Sequence, residues 1–161
     1  MRTQRGFTLA ELIIVLVVTG ILASVAVPRM LDMGQMSARG ARDFISMSLR
    51  YAQKSAIAMR RNVCVAVNAT QVSVTYATTS GSTQPCPTGN QITNPGNGLP
   101  YSDSSNALAG GATVTPPASL IFDAQGRPLS AAFTPMSSAL TISVIGHATP
   151  ITIEPETGTV R

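Results

Sequence analysis

Hydrophobic positions follow three rules in turn along this chain. From Phe7 to Val27 they are nearly continuous, and Glu11 is the single charge in the run. A helix of those 21 residues spans about 30 Å, one hydrocarbon core. From Asp32 to Arg61 there is no proline, and a stripe recurs every three or four residues: Phe44, Ser48, Tyr51 and Ser55 with Ile45, Leu49, Ala52, Ala56 and Met59. This predicts one helix from about Thr8 to Arg60, with Pro28 and Gly34 as points where it bends or loosens. Its first half would face lipid or a filament, and its second half would lie on a sheet.

At Asn62 the period drops to two. Val63, Val65 and Val67 alternate with Cys64, Ala66 and Asn68, and Val72, Val74 and Tyr76 with Ser73 and Thr75; a turn at Asn68-Ala69-Thr70 makes a hairpin. Residues 80–117, rich in Gly, Pro, Ser, Asn and Thr, read as a long surface loop, a place for partner specificity. Strand signals return at Leu120-Ile121-Phe122, followed by a turn at 123–128. They recur over 140–145 and 151–154, with turns around Gly146-His147 and at Glu156-Thr157-Gly158, before the final Thr159-Val160-Arg161. The expected class is α+β: a long N-terminal helix packed on an antiparallel sheet.

Composition changes this picture little. The 161 residues are 44% hydrophobic, 4% aromatic and 11% charged, which suits one small β-rich domain beyond the first segment. Charge is more informative by position. Arg2 and Arg5 precede the run and hold the N-terminus on the cytoplasmic side, with the rest outside. Arg29, Arg39, Arg42, Arg50, Lys54, Arg60 and Arg61 face only Asp32 and Asp43, whereas from Asn62 onward Arg127 and Arg161 meet Asp103, Asp123, Glu154 and Glu156. The C-terminal body is therefore slightly acidic. Cys64 and Cys86 fit one disulfide in an oxidising compartment, and two buried thiols otherwise.

Catalytic chemistry is missing from the pattern. His147, the only histidine, sits in a turn without neighbours that would make it a base or a ligand. Asp123 in Phe-Asp-Ala-Gln-Gly reads as an Asx-type turn residue, with no second carboxylate nearby for Ca²⁺. The seven methionines read as helix and core packing. No phosphate loop, nucleotide fingerprint or nucleophile elbow is present. The expectation is a protein that is not an enzyme and uses no metal or cofactor.

Glu11 is the anomaly, because a carboxylate at membrane depth calls for a partner or a purpose. A secretory signal would have a shorter apolar stretch, and the Ala23-Ser24-Val25 and Val25-Ala26-Val27 triplets run straight into Pro28. A plain signal anchor leaves Glu11 unexplained. Arg5-Gly6-Phe7-Thr8-Leu9-Ala10-Glu11-Leu12 resembles the prepilin signature of type IV pilins and secretion pseudopilins. That resemblance implies cleavage of Gly6–Phe7 by prepilin peptidase, N-methylation of Phe7, and pairing of Glu11 with the new amine of a neighbouring subunit. Residues 1–6 would be the leader, 7–28 the membrane and filament-core helix, 29–61 its amphipathic continuation, and 62–161 a periplasmic β domain. The implied partners are prepilin peptidase, other major and minor pilins or pseudopilins, the inner membrane and its assembly platform.

Three further stretches carry a narrower likeness: RYAQKSAIAMRRNVCVAV (50–67), FDAQGRP (122–128) and ITIEPETGTVR (151–161). They resemble the GspH/FimT-type minor pilins and pseudopilins, and among these the minor pilin C type of mannose-sensitive haemagglutinin (MSHA) pili. Some FimT-type members bind DNA through a basic C-terminal Gly-Arg-x-Arg-like motif. Here Gly158-Thr159-Val160-Arg161 keeps only the last arginine, so Arg127 and Arg161 would add at most a weak patch and DNA is not the expected partner.

Overall fold

The computed structural model describes residues 8–81, 83–101, 107–108, 112–115 and 118–161, with the side chains of 25–33 left aside. The described chain has the expected α+β order: helix α1 (Leu9–Met59), then strands β1 (Val63–Val67), β2 (Val72–Tyr76), β3 (Val114–Thr115), β4 (Ala118–Phe122), β5 (Pro128–Leu129), β6 (Leu140–Val144) and β7 (Ile151–Ile153). The architecture is consistent with the type IV pilin fold. The chain divides into two compact units, Met1–Gly34 and Gln35–Arg161. Pro28 and Gly34, expected to interrupt α1, both lie within its helical assignment.

In the larger unit, α1 buries a stripe of Ala38, Ala41, Ile45, Leu49, Ala52 and Ala56. Four of these six are alanines, so helix and sheet backbones approach closely while the strands supply the bulk. Phe44 and Tyr51 are partly buried against the same core, whereas Met59, assigned to the stripe from its spacing, is exposed. The helix ends at Met59 in a Schellman-type cap: Arg60 N–H donates to Ile57 O (3.3 Å) and Arg61 N–H to Ala56 O (3.2 Å). Arg60 adopts φ 52° there, a conformation usually left to glycine.

Two antiparallel sheets receive the helix. One has the order β2-β1-β4-β5 and the other β3-β6-β7. In the first, Val65 of β1 lies between Val74 of β2 and Leu120 of β4, and alternate residues of β1 face the core. In the second, Ile142 and Val144 of β6 with Ile151 and Ile153 of β7 complete one continuous apolar cluster with α1 and the first sheet. The C-terminus extends this sheet, since Thr152 and Arg161 exchange backbone hydrogen bonds of 2.9 Å and Val160 bridges Ile153.

The 80–117 segment departs from the surface loop expected of it. It contains β3, bridges of Thr75 to Gln91 and of Thr93 to Pro100, and buried Ile92, Tyr101, Leu108, Ala112 and Val114. These apolar residues are too widely spaced to give a period, yet each enters the core once the chain folds back over β2. Cys64 on β1 and Cys86 in this segment form a disulfide 22 residues apart in sequence, a closure that contributes about 3 kcal/mol in the chain-entropy picture. Of the methionines expected in helix and core packing, Met36, Met47 and Met59 lie on α1 but are exposed.

Candidate functional site

The first helical turn is built by its own sequence. Thr8 caps α1, its Oγ1 accepting the Glu11 N–H (3.3 Å) and its carbonyl the Leu12 N–H (3.2 Å). Thr8 and Glu11 have the spacing of a capping box, and a carboxylate in the first turn also complements the positive end of the helix dipole. Sequence reading passed over this cap, although Thr-x-x-Glu before an apolar run is its signal.

Beyond the cap, the described part of the N-terminal unit is apolar on all sides of the helix. Leu9, Leu12 to Val18, Ile21 and Leu22 are each about half or more exposed. The polar side chains of the run turn inward on the backbone: Thr19 Oγ1 donates to the carbonyls of Val15 (2.8 Å) and Leu16 (3.1 Å), and Ser24 Oγ to Ile21 O (2.7 Å). Glu11 has no such refuge. It is exposed, with no ion pair among the described residues. A helix of this kind is at rest only when lipid or other subunits surround it. Among the described residues no helix is long and apolar enough to cross a membrane; the described side chains of the run end at Ser24, short of the expected 7–28 span. Gly6 and Phe7, the expected processing residues, lie outside the described residues.

In the larger unit, the motif residues turn inward on one another. Gln53 Nε2 donates to Gly126 O (2.9 Å) and to Thr157 O (2.8 Å), so one helix side chain joins the three stretches quoted for the narrower likeness. Gly126 (φ 80°) and Gly158 (φ 68°) are held in this knot: a Cβ on Gly126 would come within 2.7 Å of Ile57 Cδ1, and one on Gly158 would collide with Gly126 O. Arg42 Nε and Arg50 Nη2 donate to the carbonyls of Thr149 (3.1 Å) and Val160 (3.0 Å), tying the helix to the β6–β7 turn and to the C-terminal segment. Sequence reading missed Gln53, because a lone helical glutamine carries no local signal of the turns it will meet.

The residues weighed for phosphate binding are occupied. Arg127 meets the buried Asp123 carboxylate through Nε and Nη2, both at 2.9 Å, and Asp123 Oδ1 also accepts the backbone N–H groups of Gln125 and Arg127, the expected Asx turn. Arg161 lies 3.8 Å from Glu154. The two arginines line separate clefts, each shared with Glu156. His147 Nδ1 contacts Thr149 within the β6–β7 turn, and no group of His, Cys, Asp or Glu among the described residues could hold a metal ion.

The described chain thus comprises an apolar N-terminal helical unit with one carboxylate in its first turn and, as a second unit, an α+β domain. Residues 1–27 match the family model of the prokaryotic N-terminal methylation motif. That match covers the leader, the Gly6–Phe7 bond, Glu11 and the apolar run, and supports a type IV prepilin-like protein. It implies a membrane-anchored chain, processing by prepilin peptidase and assembly with other pilins. No curated protein and no solved structure matches the chain.

Proposed function

We propose that this chain is a minor pilin or pseudopilin of the GspH/FimT type, a structural subunit of an MSHA-like type IV pilus or a type II secretion pseudopilus. Cleavage after Gly6 gives a cationic amine on Phe7, which prepilin peptidase methylates. Glu11 then serves as the counter-charge for the amine of an adjacent subunit. In a low-dielectric filament core that pairing is strong relative to leaving either charge bare, so it favours one stacking register. The observation that carries this reading is Glu11 itself: every other described polar side chain of the run is bonded to its own backbone, and the carboxylate alone awaits a partner.

The DNA-binding alternative is weakened by geometry. Arg127 and Arg161 already face carboxylates, and Thr159 stands where the FimT-type motif has its first arginine. Mass spectrometry of the protein from sheared filaments tests the assembly reading. The expected chain begins at N-methylated Phe7 and carries the Cys64–Cys86 bridge. An uncut chain confined to the membrane, in cells with active prepilin peptidase, would refute it.

A further inference from the structure

An open groove of about 500 Å³ runs beside α1, between its Phe44, Met47, Tyr51 and Lys54 and the short hairpin that ends at Tyr101. Its interior is aromatic. Tyr101, buried, lies with its ring centroid 6.3 Å from both Phe44 and Tyr51. The opposite wall is rigid: Asn94 Oδ1 accepts the Gly96 N–H (2.9 Å), Asn94 N–H donates to Leu99 O (2.8 Å), and Gly98 N–H donates to Asn94 O (2.8 Å). The groove is therefore formed in advance, and an occupant need not order it. Met47, on the groove and 67% exposed, is a flexible side chain able to close over an apolar guest.

Charge narrows the guest. Arg50 and Lys54 line the groove, and among the described residues no carboxylate does. Arg50 spends one nitrogen on Val160 O, while Lys54 has no hydrogen bond or ion pair among the described residues. A cation at the edge of an apolar cleft attracts a carboxylate more strongly than one in open water. A second copy of the chain is poorly equipped to supply one. Among the described residues Asp43, Asp123 and Glu154 each lie beside an arginine, Glu156 is flanked by Pro155 and Thr157 without a bulky apolar anchor, and Glu11 lies in the apolar run that needs lipid or other subunits around it.

We propose that this groove docks an acidic segment of a different protein, which places an aliphatic or aromatic side chain among Phe44, Tyr51 and Tyr101 and an adjoining carboxylate on Lys54. The inference stands beside the assembly reading and does not depend on it. The test uses the full chain in the cells that make it, with Met47 replaced by p-benzoylphenylalanine and the photo-crosslinked peptide identified by mass spectrometry. The expected crosslink lies on an apolar side chain directly flanked by Asp or Glu in another protein. Lys54→Glu is expected to lower its yield about tenfold and Lys54→Arg to keep it. Lys54 is exposed, so the reversal leaves the fold intact, which survival of the Cys64–Cys86 bridge and protease resistance would verify. A crosslink to lipid, to a second copy or to a segment without a carboxylate overturns the proposal, as does none at all or one indifferent to Lys54→Glu.

Discussion

The two units of this chain handle polar and apolar groups in opposite ways. In Gln35–Arg161 most buried apolar side chains join one cluster, the arginines 42, 50, 61 and 127 each find a carbonyl or carboxylate, and among the described residues only the Ser46 hydroxyl is buried without a hydrogen-bond partner. In Met1–Gly34 the described apolar side chains are exposed on every side of the helix, and its one described carboxylate is unpaired among the described residues. The first unit satisfies itself; the second is physically incomplete. Residues that look like motifs in the first, such as Gly126, Gly158 and Gln53, are explained by contacts within it. Glu11 finds no such explanation beyond its place in a helix cap, and the need for an outside partner follows from that difference.

The contrast breaks most visibly at Glu11. Glu11→Ala is expected to leave cleavage and methylation unchanged yet reduce recovery in sheared filaments by an order of magnitude or more, about what an unpaired amine in the core would cost. Immunoblots of filament and membrane fractions would decide it, and normal incorporation would end the registry argument. In the other unit the effect is on stability. Gly158→Ala places a Cβ into Gly126 O and the Gln53 amide, and is expected to cost about 3 kcal/mol or more in urea unfolding. Gln53→Ala removes two hydrogen bonds from the same knot and is expected to cost about 1–3 kcal/mol, with filament entry of the folded fraction preserved.

Two smaller effects sharpen the picture. Burial raises the Tyr101 phenol above the ordinary tyrosine value of 10.0, against a lowering hydrogen bond from Ser48 and with a further raise from Tyr51. The folded state thus holds that proton more firmly than the unfolded chain. Its contribution to stability is intact below pH 10.0 and lost as the pH climbs through the higher folded value. Melting temperatures across that range should fall for the wild type and fall less for Tyr101→Phe. Last, Arg60→Gly relieves a positive φ at the helix cap and is expected to stabilise the domain by about 0.5–1 kcal/mol. A loss there would mean the arginine has a contact that outweighs its strain.

Much of the fold was legible because its signals are local. The helix was expected over 8–60 and runs Leu9–Met59, and the first hairpin has the strands its alternation named. The Asx turn at Asp123 was also readable, since a short carboxylate before Gly126 closes on its own backbone. The errors fell where side chains are decided at long range. Ile92, Tyr101 and Leu108 lie in a stretch with no periodicity, and only the return of the chain over β2 makes them core. The methionines read as helix and core packing, but Met36 and Met47 are exposed.

By itself the sequence determined the N-terminal segment: the apolar run, Glu11 within it and Gly6–Phe7 before it are read along the chain, and the Thr8–Glu11 cap spacing, though passed over, is written there too, because helix capping and hydrophobic continuity are properties of neighbours. Only the tertiary structure decided that Gln53 gathers two distant glycine turns and that an aromatic groove with a free lysine edge forms beside the helix. Those arrangements join residues tens of positions apart, and no local preference encodes which of them will meet; packing of one helix against two sheets does.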